Sequence, residues 1–257
     1  PWALLQQTIF QFYLLGRLRA LFPFASPMLL SLLNGIAYGL VHLPDLPVTV
    51  VGMGAGVIYY GLGGTHQAQE DIAIASAIPN MQVLAPRDPL ECIDATRHCA
   101  TQNKGPVYLR IGKAGEPSLT ENALEPFIFG KLRYLRHGTD VCILSYGVIM
   151  KLAVQVADQL QAVGKSVSVV SCHTVKPLDR QGVEEALRNH KQVIVIEEHA
   201  PQGGLAPQTK QIAWDIGAQC TLRTFTLRDE FIHNYGSHDD LLAAHGLSLD
   251  RIMATVS

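Results

Sequence analysis

Gly61-Leu62-Gly63-Gly64-Thr65-His66-Gln67 sets an imidazole directly behind three glycines. Glycines reach backbone angles closed to other residues, so this turn can bring main-chain N–H groups and the His66 ring against a ligand. The plain alternative is a histidine on a surface loop. Arg110 ends the run Gly105-Pro106-Val107-Tyr108-Leu109-Arg110. A guanidinium at a strand end can hold a phosphate or a carboxylate through two parallel hydrogen bonds; an ordinary surface ion pair is the other reading. Glu197-Glu198-His199, followed by Gly203-Gly204-Leu205, carries the residue types of a metal or acid–base site. It lacks a ligand spacing such as H-E-x-x-H, and the structural reading is preferred.

The elements that must position these residues read as alternating strands and helices. Pro47-Val48-Thr49-Val50-Val51-Gly52 is a β-branched run ending in glycine, which makes a buried strand leading into a loop from Met53 to Gly64. A helix follows the glycine turn. Glu70 and Asp71 sit in its first turn, Ile72, Ile74, Ala75 and Ile78 give it apolar surface, and Pro79-Asn80 stops it. Gln82-Val83-Leu84-Ala85 is the next strand. Asp88-Pro89-Leu90-Glu91 opens a second helix with an N-cap, a proline at the first position and a glutamate three residues after the cap. Residues 106–111 form a third strand, and strand–helix repetition of this kind predicts a parallel layer. Residues 116–138, punctuated by Pro and Gly, read as a linker. Beyond it, strands are expected at 140–145, 166–171, 192–196 and 220–225. Helices are expected at 148–163, 180–189, 239–244 and 249–254; Leu152, Val156 and Leu160 recur at helical spacing in the first of these. The fold class is α/β: two consecutive three-layer domains with mostly parallel sheets.

Composition narrows the setting. The 257 residues are 48% hydrophobic and 16% charged, which suggests surface buried against a partner. A net charge of −2 gives no electrostatic reason to expect nucleic acid. Five scattered cysteines without a C-x-x-C pair read as free thiols in a reducing compartment, and the cytoplasm fits. Residues 1–42 stand apart, because their only charged side chains are Arg17 and Arg19 and Leu is heavily repeated. Pro23, Pro27, Gly35 and Gly39 interrupt the roughly 20 apolar residues that a membrane span needs, so no membrane association is expected. Because the chain opens on Pro1 rather than Met, it reads as a fragment.

Five linked motifs in order carry a resemblance. Gly-x-Thr-His, Glu-Asp-Ile-Ala, Ile-Pro-Asn-Met, Val-Leu-Ala-Pro-x-Asp and Gly-Pro-Val-Tyr-Leu-Arg resemble the later half of the pyrimidine-binding domain of transketolases and related thiamine-diphosphate enzymes. Val175-Lys176-Pro177-Leu178-Asp179, Glu197-Glu198-His199 with its glycines, and Leu241-Leu242 before Gly246-Leu247 resemble the C-terminal domain of the same group. The resemblance covers residues 46–257. It divides the chain into an unassigned apolar segment at 1–42, a partial pyrimidine-binding domain at 43–115, the linker, and a C-terminal domain at 139–257. Two readings stand for 1–42: text translated out of frame or replaced, or a divergent hydrophobic helical hairpin at a subunit interface.

The resemblance implies thiamine diphosphate and Mg2+, held mainly by a Gly-Asp-Gly motif and a cofactor-activating glutamate that this chain does not contain. It therefore implies an N-terminal transketolase subunit or domain as partner, a homodimer or heterotetramer, and a phosphorylated sugar as substrate. His66 matches the histidine that faces the donor sugar, and Arg110 matches the arginine that holds its phosphate. Leu62 and Gly54 stand where many members carry an acidic residue and a further histidine, which points toward a variant substrate. Transfer of a two-carbon ketol unit between sugars is the leading expectation. A 1-deoxyxylulose-5-phosphate synthase-like chain, a 2-oxoacid dehydrogenase β-like chain and a non-catalytic dimerisation partner are the alternatives.

Overall fold

The computed structural model describes residues 48–102, 105–119 and 125–256; the segment 1–42, with both readings of it, lies outside them. In chain order the first elements are β1 (Thr49–Met53), a 3-10 turn (Gly64–His66), α1 (Asp71–Ala77), β2 (Gln82–Leu84), α2 (Pro89–Thr101) and β3 (Val107–Ile111). They are followed by β4 (Arg133–Arg136), β5 (Val141–Ser145), α3 (Met150–Ala162), β6 (Val167–Ser171), β7 (Thr174–Lys176), α4 (Arg180–Asn189) and β8 (Gln192–Ile196). The chain then runs through α5 (Leu205–Asp215), β9 (Thr221–Phe225), α6 (His238–His245) and α7 (Leu249–Val256).

Two sheets result. The first has the order β1-β3-β2-β7 and the second β4-β6-β5-β8-β9. β1, β3 and β2 are mutually parallel, with Gly52 opposite Arg110 and Leu84 opposite Leu109. β5, β6, β8 and β9 are parallel as well, and antiparallel β4 closes one edge. β7 leaves the second sheet directly after β6 and pairs antiparallel with β2 of the first.

Strands buried on both faces have apolar side chains on both. Val141 and Ile143 of β5 and Ile194 and Ile196 of β8 face α3, whose Leu152, Val156 and Leu160 form the stripe expected from their spacing. Cys142, Leu144, Val193 and Val195 face the other way, toward Val183 and Leu187 of α4 and Leu205 and Ile212 of α5. Each such leucine taken from water contributes about 1.5–3 kcal/mol. Among the described residues no helix is long and apolar enough to cross a membrane.

The cap expected at the start of α2 forms at Asp88 alone. Asp88 accepts the Glu91 N–H at 2.8 Å and caps α2 behind Pro89. The Glu91 carboxylate, expected to fold back onto the cap, instead takes the N–H and guanidinium of Arg87 at 2.9 and 2.6 Å. On α1, Ile72 and Ala75 are buried but Ile74 is 62% exposed, so the apolar face is narrower than expected. Three elements were not anticipated: β4, inside the stretch read as a linker, β7, and α5.

Candidate functional site

The carboxyl ends of β1, β2 and β3 open on one side, the edge at which parallel α/β sheets bind ligands. A cleft of about 600 Å³ lies there, bordered by Met53, Arg87, Cys92, Ile93, Lys113 and Glu116 among others. Lys113 stands two residues past β3. Its ammonium lies 4.4 Å from the centre of the Tyr60 ring and 3.3 Å from the Tyr60 hydroxyl. Glu116 accepts the Lys113 backbone N–H at 2.8 Å and so fixes the turn below the side chain.

His66 occupies the last position of the 3-10 turn and is exposed. Its Nδ1 meets the Thr65 hydroxyl at 3.0 Å, which leaves Nε2 as the nitrogen available to act. Gly63, at φ 76°, supplies the left-handed residue that the turn needs. The turn is tied at both sides: Gly56 and Ala68 exchange backbone hydrogen bonds at 3.1 and 2.8 Å, and Val57 N–H donates to Glu198 Oε1 at 2.7 Å.

Arg110 is enclosed within the fold. It is 2% exposed, pointing under the turn rather than into the cleft. Its Nε donates to Asp71 Oδ2 at 2.8 Å, and its Nη2 donates to the carbonyls of Ala68 and Glu198, each at 3.0 Å. Tyr108 donates to the same Asp71 oxygen at 2.7 Å. Burial pushes the Asp71 carboxyl upward, but the charge and hydrogen bond of Arg110 outweigh it and hold its pKa below the ordinary value. Arg110 itself is held firmly charged: burial opposes the charge, and Asp71 overcomes that penalty. A strand-end arginine read from sequence thus turns inward as a buried ion pair, and its two carbonyl partners fasten Ala68, two residues from His66, to the exit of β8. That backbone connects Arg110 to the His66 turn.

Glu197, Glu198 and His199 are all buried and bonded within the fold. Glu197 accepts the Leu205 and Ala206 N–H groups at the start of α5, at 2.7 and 2.8 Å, and the Tyr146 hydroxyl at 2.8 Å. His199 Nδ1 meets the Ala200 carbonyl at 2.8 Å. Around the turn, Gln67 Nε2, Asp71 Oδ1 and Glu198 Oε2 are buried without a hydrogen-bond partner among the described residues. Such groups are few in native folds and mark a place where water or another molecule is owed. Lys113, which borders the cleft as the buried Arg87 does, was not singled out by the sequence reading. Its signal was its place two residues beyond β3, which ends at Ile111.

The described residues contain no group of three or more His, Cys, Asp or Glu that could hold a metal ion. With no Gly-Asp-Gly motif in the chain, the donors present do not fit a diphosphate and its divalent ion.

Two family models match: the transketolase pyrimidine binding domain over residues 24–115 and the transketolase C-terminal domain over residues 130–252. The first match begins upstream of residue 43, where the sequence reading placed the domain's start. A chain described as the C-terminal section of a transketolase, from Methanocaldococcus jannaschii, is 34% identical over 84% of this chain and 67% of its own length. One of the subunits of the apulose-4-phosphate transketolase of Actinobacillus succinogenes is 28% identical over 89% of this chain and 73% of its own. 1-Deoxy-D-xylulose-5-phosphate synthases also match, and this chain spans about a third of their length. The solved structure of a split-gene transketolase, an inactive beta4 tetramer, superposes with a TM-score of 0.70 at 29% identity, over 86% of this chain and 70% of that one. The chain belongs to the transketolase family and corresponds to its C-terminal section.

Proposed function

We propose that this chain is the C-terminal subunit of a split, thiamine-diphosphate-dependent transketolase that moves a two-carbon ketol unit between phosphorylated sugars in the cytoplasm. The observation that carries the reading is that half a site is present. An exposed histidine turn and a cleft with a cation at its rim stand at the ligand-binding edge of a parallel sheet, while among the described residues no acidic or histidine cluster that could hold Mg2+ stands there. Such donors fall to an N-terminal partner, as the relatives that are themselves subunits or split-gene products suggest.

The cofactor supplies the carbon–carbon bond chemistry when bound. This chain's share is orientation and proton handling. His66 Nε2 faces the donor sugar and holds or moves a proton at its hydroxyl or carbonyl. Lys113, rather than Arg110, presents a positive charge to the sugar phosphate, because Lys113 borders the cleft while the Arg110 guanidinium is enclosed. Arg110 acts by fixing the backbone of the His66 turn. The five cysteines are free thiols, which suits a reducing compartment.

Calorimetric titration of thiamine diphosphate with Mg2+ tests this reading. Heat of binding appears only when the chain is mixed with a candidate N-terminal subunit. Absence of binding in every mixture overturns the catalytic reading and supports a dimerisation partner. In the active mixture, ketose donors support turnover; a preference for pyruvate would instead favour the 1-deoxyxylulose-5-phosphate synthase-like alternative. Lys113→Ala raises the KM for a phosphorylated ketose by about 10-fold or more with little change in kcat, the mark of lost ground-state and transition-state binding in equal measure. An unchanged KM would remove Lys113 from phosphate recognition.

A further inference from the structure

The second sheet sends a loop across the back of the His66 turn. Residues 228–237 are pinned at both ends to adjacent residues: Leu227 N–H donates to the His199 carbonyl at 2.9 Å, and His238 Nε2 meets Glu198 Oε1 at 2.9 Å. Between those anchors, Phe231 and Tyr235 lie against the glycines. A Cβ built on Gly64 would sit 3.6 Å from the Phe231 ring, and one on Gly63 would sit 3.6 Å from the Tyr235 hydroxyl. Both aromatics remain largely exposed, at 59% and 77%. A loop serving only to bury apolar area would have turned them inward.

Glu198 is the junction. Its side chain is 1% exposed, and one oxygen receives both the Val57 N–H and His238. Val57 follows Gly56, which exchanges backbone hydrogen bonds with Ala68. A side chain at Gly56 would come within 2.3 Å of the Glu198 carboxylate, so the backbone approaches this group as closely as glycine permits. The path runs from His238 through Glu198 to the base of the turn, and the aromatic loop covers its outer side.

We propose that His238 is a positioning residue for the turn that carries His66, acting through Glu198 and Val57 and through the loop that holds Phe231 and Tyr235 against the glycines. The assignment rests on the reading of His66 as sugar-facing only for its consequence in catalysis; the mechanical coupling stands on the contacts alone. Four charged or titratable groups bear on the pair. Asp239 is beside His238 on α6 and Lys151 faces it from α3, while Glu198 also favours the charged forms of Arg110 and His245. Burial disfavours the imidazolium, and the hydrogen bond and charge of Glu198 more than compensate, so the His238 pKa lies above its ordinary value. The clamp is therefore fully formed below the ordinary histidine pKa and loosens as pH rises through the raised one.

Hydrogen exchange on the full chain is the test. His238→Ala speeds exchange of amides 57–67 by about 10-fold, the factor that loss of one charge-assisted hydrogen bond produces, with α3 and β8 unaffected. His238→Gln, which retains a donor, restores protection and removes its pH dependence. In the complex with an N-terminal subunit, His238→Ala lowers kcat more than it raises the ketose KM, as displacement of a proton-transfer group does. Unchanged exchange at 57–67, or equal acceleration throughout the chain, overturns the proposal. If exchange at 57–67 rises selectively but no ketose is turned over even by the unaltered complex, the coupling stands and the transketolase reading fails.

Discussion

Replacing Arg110 by Ala lowers the unfolding free energy by about 3–5 kcal/mol, the range for removing one partner of a buried ion pair. The mutation leaves the Asp71 carboxylate with only the Tyr108 hydroxyl and strips the Ala68 and Glu198 carbonyls of a donor. Urea denaturation of the variant reads this directly. The pH dependence has a definite sign. Because the Asp71 pKa is depressed in the fold, the pair's contribution is present above the ordinary carboxylate pKa and is lost as pH falls through the depressed one. An arginine whose task was to grip a sugar phosphate would behave otherwise: its removal would raise KM and leave stability nearly unchanged. A denaturation midpoint equal to that of the unaltered chain would reject the ion-pair account.

His66→Ala has the opposite profile. The side chain is exposed and its hydrogen bond is to neighbouring Thr65, so stability is expected to stay within about 0.5 kcal/mol. Activity of the complex with an N-terminal subunit falls by about 10²–10⁴-fold in kcat/KM, the usual range for losing a positioned proton-transfer group. Unchanged turnover would take His66 out of the mechanism. The two variants together separate what the turn does from what holds it.

Legibility of the sequence followed the distance between partners. α2 was readable because Asp88, Pro89 and the first helical N–H groups are neighbours in the chain. α3 was readable because Leu152, Val156 and Leu160 repeat at helical spacing, and β5 and β8 because their apolar runs are local, whereas β1, expected to be buried, leaves Val50, Val51 and Met53 exposed. α5 has Gly204 as its N-cap and so no side-chain cap of its own; the group that accepts its first N–H donors is Glu197, eight and nine residues before them and across a loop. Local capping rules cannot register such a donor–acceptor pair. β4 was obscured by its charges. Arg133, 8% exposed, turns inward to Glu91 and Asp94 of α2, so a residue typical of linkers serves as a buried tie between layers.

At the site, the turn and its histidine were visible in the glycine pattern, whereas the direction of Arg110 was not. A strand alternates its side chains between two faces, and the sequence of β3 does not say which face meets solvent until α1 brings Asp71 beneath it. Glu198 was set aside with its neighbours as structural. Its contact with Val57, 141 residues away, connects it to the turn.

The strand that crosses from one sheet to the other has an implication for modularity. β7 follows β6 after two residues, yet it completes the edge of the first sheet beside β2. Lys176 on that strand also donates to the Ser76 and Ile78 carbonyls at the end of α1, at 2.8 and 2.6 Å. A chain divided between the two sheets would therefore not yield two self-sufficient pieces. The earlier piece would expose the unpaired edge of β2, and the later one would carry a strand with no sheet to join. The residues from Thr49 onward hold together as one compact unit, in which β7 ties the two sheets.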